Sequence, residues 1–301
     1  VHALIDAVGF LTEDRPTFLF TEKPAEPLAQ PYLPFGGDVE RYQADEVILF
    51  SGGLDSFAGA LEALKTRQGK VVLLTHRSAP KAITRQVELG TYLKRQFGSR
   101  VLHLHVRATR SGKASLETTQ RSRSFLFASL GYVVARMSGA KYLSFYENGV
   151  VSHNLPISPQ VIGTMASRTT HPLALRKIQN FLDMIDDNDP VVLRNPFEWL
   201  TKTDVVRKID EFHAAPSISS TVSCTTLRNE SKETHHCGAC SQCLDRRFAI
   251  LAAGLSENDR SDDYKTDVIT GQHESTRHKT MALEWTRHAR RLAAMNITEF
   301  F

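Results

Sequence analysis

No apolar run in the 301 residues approaches the roughly 20 needed to cross a bilayer. No charged-then-apolar leader opens the chain, so the composition predicts a soluble, cytoplasmic protein with no membrane partner. Cysteine is scarce: all four lie between positions 224 and 243, which argues against a distributed disulfide framework and for a metal site in a reducing compartment. An excess of one charge is also missing. Lys and Arg number 37 against 33 Asp and Glu, a net of +4, whereas a duplex binder shows a denser basic face, so nucleic acid has only weak support. There is no G-x-x-x-x-G-K-S/T and no G-x-G-x-x-G, which excludes a Walker A loop and a dinucleotide fingerprint. Val1 stands where an initiator Met would, which favours a fragment of a longer chain.

What is present is a 41% apolar chain, able to bury a large core, whose hydrophobic period changes near residue 46. Strand-like runs at 46–50, 71–75, 101–106, 142–146 and 191–193 alternate with helical stretches near 56–66, 82–97, 122–138, 172–186 and 202–213. That alternation predicts an α/β fold, a doubly wound and mostly parallel sheet whose ligands bind at the carboxyl ends of the strands. Residues 1–44 hold Pro16, Pro24, Pro27, Pro31 and Pro34, then Phe35-Gly36-Gly37-Asp38. They read as an arm or domain remnant with short elements near Leu4–Leu11 and Thr17–Phe20.

The first strand runs into Ser51-Gly52-Gly53-Leu54-Asp55-Ser56 and then a helix. Small residues between a buried strand and a helix offer backbone N–H groups at the positive end of the helix dipole, which is a phosphate cradle. Asp55 fits beside a phosphate if Mg²⁺ lies between them. The other reading of this stretch is a tight βα turn with a serine cap. After the second strand His76 can line an adenosine pocket or be structural. Five cations, Arg107, Arg110, Lys113, Arg121 and Arg123, face one acid, Glu117, after the third strand. Arg123-Ser124 opens a helix, where a cation is unfavourable unless an anion is shared. Glu147 after the fourth strand is a candidate substrate contact, and Asn148-Gly149 reads as a turn. Arg168 and His171 either face the site or cap a helix. Lys202, like Lys208, reads as a surface charge, with a weak claim on phosphate through its place near a strand end.

Cys224 is followed by Cys237-Gly238-Ala239-Cys240-Ser241-Gln242-Cys243. Two C-x-x-C steps and a fourth cysteine at loop distance form a closed tetrahedral set for Zn²⁺ first and an iron–sulfur cluster second. Two disulfides are the alternative, and His235 or His236 could replace one sulfur. Residues 258–279 read as polar loop, and Met281–Ala294 as a helix carrying Leu283, Trp285 and Leu292.

The S-G-G-x-D-S stretch resembles the PP-loop of the ATP pyrophosphatases, which split ATP between its α and β phosphates and adenylate a substrate oxygen. Together with Ser223-Cys224 and Cys237-Gly238-Ala239-Cys240-Ser241-Gln242-Cys243-Leu244-Asp245-Arg246, it resembles the 7-cyano-7-deazaguanine synthase (QueC) family, whose late C-G-x-C-x-x-C-x-x-R binds zinc. Thr201-Lys202-Thr203-Asp204 is similar to that family's T-K-x-E, and Arg123-Ser124-Phe125-Leu126 to its R-N-x-x-F. The family's P-D-C-R segment is absent, and His153–Gly163 stands in its place.

The resemblance implies ATP, Mg²⁺ and Zn²⁺, a cofactor site built from Ser51, Gly52, Gly53, Leu54, Asp55, Ser56, His76, Arg123, Ser124, Glu147 and Lys202, and catalytic roles for Asp55 and Arg123. Cys224, Cys237, Cys240 and Cys243 would be the metal ligands. It implies a 7-deazaguanine-type carboxylate as substrate, a homodimer, and, from the divergences, a member of bacterial antiviral operons with protein partners. The expected organisation is an arm (1–44), a PP-loop domain (45–220), a zinc segment with its helix (221–255) and a tail (256–301). A non-catalytic ATP- and zinc-binding defence subunit and a tRNA-modifying PP-loop enzyme are the alternatives.

Overall fold

The structure is a computed structural model that describes residues 1–22, 42–77, 80–108, 121–154, 168–185, 189–224, 234–273, 275–296 and 298. The prolines from 24 to 34, Phe35–Asp38, Arg110, Lys113, Glu117 and most of 153–163 lie outside the described residues.

Five short apolar runs become five parallel strands: β1 (Glu46–Leu49), β2 (Val71–His76), β3 (Val101–Val106), β4 (Tyr142–Ser144) and β5 (Val192–Arg194). They pair in the order β3-β2-β1-β4-β5. β1 is buried on both faces, as a run without alternation requires: Val47 and Ile48 are fully inside. The chain winds outward from β1 through α2 (Leu54–Thr66), β2 and α3 (Pro80–Phe97) to β3. It then crosses back by α4 (Arg123–Ser138) to β4, on the other side of β1. That reversal opens a crevice above the carboxyl ends of β1 and β4.

One face of the sheet packs with α2, α3, α7 (Lys202–Glu211) and α8 (Ser241–Ala252), through Phe57, Leu61, Leu89, Val206 and Ile250. The other packs with α1 (His2–Thr12), α4 and α6 (Pro172–Asp183), through Leu11, Ala128, Tyr132, Leu175 and Ile178. A third, small cluster gathers the cysteines with Tyr264 and Val268, and Trp285 of α9 (Thr276–Ala294) packs against it, stacking on Phe248 at 4.4 Å.

Several expectations need correction. The N-terminal piece is a full three-turn helix, held to α6 by Lys177 on Asp6 (2.6 Å) and capped by Glu13 in the left-handed conformation (φ 62°). The short element expected near Thr17–Phe20 does not form. Helix α9 begins five residues before Met281, because Ser275 caps it by accepting from the His278 N–H (3.2 Å). The polar stretch after 258 contains a buried anchor, Asp259, which accepts from Arg246 (2.9 Å), Arg247 (3.1 Å) and the Tyr264 hydroxyl (2.9 Å).

Helix α2 approaches the sheet closely at Gly59, where a Cβ would lie 2.0 Å from the Tyr146 ring. That ring is buried and its hydroxyl donates to Glu46 Oε1 (3.1 Å), so it has nowhere to turn. Gly59→Ala is expected to destabilise the chain by about 1–3 kcal/mol despite alanine's better helix propensity. Urea unfolding checks this; an unchanged midpoint would mean that the helix can slide.

Candidate nucleotide site and cysteine cluster

The S-G-G-x-D-S stretch occupies the crevice. Gly52 takes φ +81°, the left-handed conformation that turns the chain from strand to helix. Gly53 caps α2, so Leu54, Asp55 and Ser56 form its first turn, whose N–H groups have no intrahelical acceptor. The helix starts two residues earlier than its apolar pattern implies, which places Asp55 at the favourable positive end of the dipole. The loop is strapped from both sides: Gln86 of α3 donates to the Ser51 carbonyl (2.9 Å), and the Val222 N–H donates to the Gly52 carbonyl (3.0 Å). The Ser51 and Ser56 hydroxyls lie 3.1 Å apart.

A cavity of about 470 Å³ opens above this turn, lined by Ser51, Gly53, Leu54, Asp55 and Ser56. The structure also brings His76, Arg123, Ser124, Glu147 and Lys202 to its wall; Gly52 lies behind the lining. Arg123 is the first residue of α4 and stacks over Phe127, 4.9 Å from the ring centroid. His76 lies against the same ring at 5.3 Å, with Nε2 3.1 Å from the Ala108 carbonyl oxygen.

Lys202 is not a surface charge. It is 5% exposed and its ammonium lies 2.5 Å from Asp55 Oδ2. A capping box of Thr201 and Asp204 starts α7 at Lys202 and aims its side chain inward. Burial opposes its charge, but Asp55, Asp245 and Glu147 outweigh that and raise its pKa. Asn148, expected as a turn residue, is fully buried and donates to Asp55 Oδ2 (3.2 Å), while its own oxygen caps a short helix, α5 (Gly149–Ser152). Asp55 Oδ2 is thus engaged twice and Oδ1 has no partner among the described residues.

Glu147 projects from the end of β4, its backbone held at both N–H and carbonyl by the Asn195 amide (3.1 and 2.8 Å). Burial first, then the charge of Asp55, push its carboxyl up to about 8 against the pull of Lys202. Asp245 of α8 is raised by burial as well, and faces the same lysine. Asn148, Asn195, Gln86 and Asp245 were not among the expected site residues. The signal for Asn195 was a polar side chain immediately after a strand, and for Asn148 one four residues past a strand end.

Two expected residues serve elsewhere. Arg168 pairs with Glu13 and stacks over Phe10 (4.8 Å), docking α1, and His171 caps α6 by accepting from the Leu173 N–H (3.1 Å). Of the basic run, Arg121 donates to the Thr12 carbonyl (2.6 Å) and Arg107 is exposed, so among its described members Arg123 alone lines the cavity.

The ligand atoms of Cys224, Cys237, Cys240 and Cys243 all lie within 4.8 Å of one another. Cys237 and Cys243 sulfurs are 3.8 Å apart, close to the ~3.8 Å edge of a tetrahedron with Zn–S bonds of ~2.3 Å. The cysteines are not disulfide-bonded, and neither histidine joins them. His235 lies on Arg85 (2.6 Å), and His236 stacks on Tyr264 (4.9 Å). The donor set fits a thiophilic cation or cluster. Neighbouring sulfurs sharing protons raise the Cys243 thiol, a crowding that a bound cation reverses.

A parallel sheet with this turn at its reversal point and a cysteine cluster beside it defines a PP-loop protein of the nucleotide-utilising class. The family model of the queuosine biosynthesis protein QueC matches residues 169–254, a stretch that holds Lys202 and all four cysteines, while the S-G-G-x-D-S turn lies upstream of it. No curated protein matches. Among solved structures the chain is similar to the U34-tRNA thiolase NcsA from Methanococcus maripaludis, described with its 4Fe-4S cluster, at 10% identity over 87% of this chain and 76% of that one, with a TM-score of 0.42. Likeness at that distance decides neither substrate nor metal. Among the described residues no helix is long and apolar enough to cross a membrane.

Removing Lys202 leaves a buried, uncompensated carboxylate. Lys202→Ala is expected to cost about 3–5 kcal/mol, and Asp55→Ala in the same chain to restore much of it without restoring nucleotide binding. Denaturant unfolding and ATP titration separate the two. The folded chain holds the Glu147 proton up to about pH 8, whereas the unfolded chain releases it in the ordinary carboxylate range. Its contribution to stability is therefore full in acid and lost as pH rises through that window. Glu147→Gln should flatten the fall in Tm between pH 5 and 8.5; an unaltered slope would assign it to another group.

Proposed function

We propose that the chain is an ATP-dependent, adenylate-forming enzyme. The observation that supports this most is a set of buried polar atoms without partners among the described residues, on residues that line one cavity: Asp55 Oδ1, Ser124 Oγ, His76 Nδ1, Thr170 Oγ1 and Gln86 Oε1. Leaving such atoms dry costs about 1–3 kcal/mol each, so the wall is built for a polar ligand. ATP is a substrate here. Ser51, Gly53, Leu54 and Ser56 hold its β and γ phosphates with backbone N–H and hydroxyl donors, and His76 and Phe127 border the adenosine end. Asp55, whose Oδ1 has no partner among the described residues, would hold a Mg²⁺ ion, which would supply charge neutralisation at the phosphates.

A substrate carboxylate oxygen attacks the α phosphorus, the α–β bridging bond breaks, and pyrophosphate leaves. Arg123 and Lys202 offset the charge that develops, as preorganised donors do. A nitrogen nucleophile then attacks the acyl carbon, AMP departs, and an amide remains; Glu147 is placed to take the proton that nitrogen loses once it is ionised, which its raised pKa of about 8 confines to the alkaline side of neutral. The QueC match suggests a 7-deazaguanine-type carboxylate as substrate, with a defence role resting on resemblance alone. The cysteine cluster is assigned to Zn²⁺ in a structural role, since four thiolates leave no open position.

The protein, incubated with ATP, Mg²⁺, ammonium and 7-carboxy-7-deazaguanine, should release AMP and pyrophosphate in equal amounts, resolved by mass spectrometry. Asp55→Asn and Arg123→Ala should each lower AMP release by about 10²-fold or more. ADP and orthophosphate instead would overturn the α–β cleavage. Metal analysis should find one zinc per chain, and iron with visible absorption would replace that assignment.

A further inference from the structure

The cysteine cluster and the cavity share a wall. Val222 and Ser223, the two residues before Cys224, line the cavity, and so does Gln242, which lies between Cys240 and Cys243. The Val222 N–H holds the Gly52 carbonyl, and its own carbonyl oxygen sits where a Cβ on Gly53 would come within 3.3 Å. The Ser223 hydroxyl is buried at the cavity with no partner among the described residues, and Asp245, two residues past Cys243, has a buried Oδ2 in the same condition.

This wall is braced by one side chain. Arg246 has no exposure and donates to the Thr221 carbonyl (3.2 Å), the Thr221 hydroxyl (2.6 Å), the Ile218 carbonyl (2.9 Å) and Asp259 (2.9 Å). It thereby locks α8, which starts at the cluster, to the 218–221 segment that leads to Cys224. A second tie runs from α3, where Arg85 meets His235 and the adjacent Gln86 meets Ser51. Ligand cysteines and cavity residues thus alternate along the same two short segments, and neither set can shift alone.

Building on the nucleotide reading above, we propose that Ser223 is a phosphate-contacting residue of the cavity and that metal in the cysteine cluster and ATP in the cavity bind cooperatively. The metal fixes the 222–224 segment against the PP-loop turn and so presents the Ser223 hydroxyl to the anion. ATP, held by that hydroxyl, in turn braces Cys224. Linkage requires both effects to have the same magnitude.

The test reads binding rather than turnover. In the metal-loaded protein, loss of metal to a chromogenic chelator should slow about tenfold when ATP and Mg²⁺ are present, and calorimetry should show ATP bound about tenfold more weakly after metal removal, with the fold followed by circular dichroism. Ser223→Ala should keep the ATP-free rate of metal loss and forfeit the protection. Equal release with and without ATP, in a protein that binds ATP, overturns the coupling and leaves the adenylating reading standing. Protection that survives in Ser223→Ala overturns the role of that hydroxyl. If the loaded protein binds no ATP, the nucleotide reading fails and takes the coupling with it. Should the metal-free chain unfold, the chelation rates on loaded protein decide.

Discussion

The ion pair between Asp55 and Lys202 is the constraint around which the site is arranged. Both side chains are almost entirely withdrawn from water, and each sits in the first turn of its helix. For Asp55 that position is favourable, and for Lys202 it is not. The lysine tolerates its place because Asp55, Glu147 and Asp245 surround it. The second carboxylate oxygen of Asp55 is buried without a hydrogen-bond partner among the described residues. The same lysine that stabilises the empty site therefore limits how much negative charge Asp55 can offer a cation.

Three segments far apart in sequence converge on this pair because the sheet reverses direction at β1. Asp55 comes from the turn after β1, Asn148 and Glu147 from the end of β4, and Lys202 from the helix after β5. Asn195, with donor and acceptor both turned to the Glu147 backbone, fixes the spacing between the last two. The cysteine segment closes the remaining side through Val222 and Gln242. The N–H groups of a helix start, a carboxylate oxygen without a partner among the described residues and a carboxyl with a raised pKa thus share one small space.

The sheet was legible because buried parallel strands are unbroken apolar runs, and Val47–Leu49 or Val71–Leu74 can hardly be read otherwise. The turn after β1 and the gathering of the four cysteines were legible from spacing. Lys202 was misread for a physical reason: a lysine after a threonine cap looks solvated, and only its partner 147 residues away makes it buried. Asn148-Gly149 has turn chemistry and does form a cap, which hid its second contact. Arg121 and Arg123 belong to one basic run, yet a two-residue step along the start of α4 sends one to α1 and the other to the cavity. Composition carries no record of such a step.

The distance along the chain between Asp55 and its partners also bears on how the molecule assembles. The β1-α2-β2-α3-β3 half is built from neighbouring segments, whereas Asp55 meets Asn148 across 93 residues and Lys202 across 147. Contacts that close such long loops form late, after the local units have collapsed. The completed site is then a report on the whole chain: interactions made only there act on the rate of unfolding and hardly on the rate of folding. A ligand that fills the cavity would lengthen the lifetime of the folded molecule without hastening its birth.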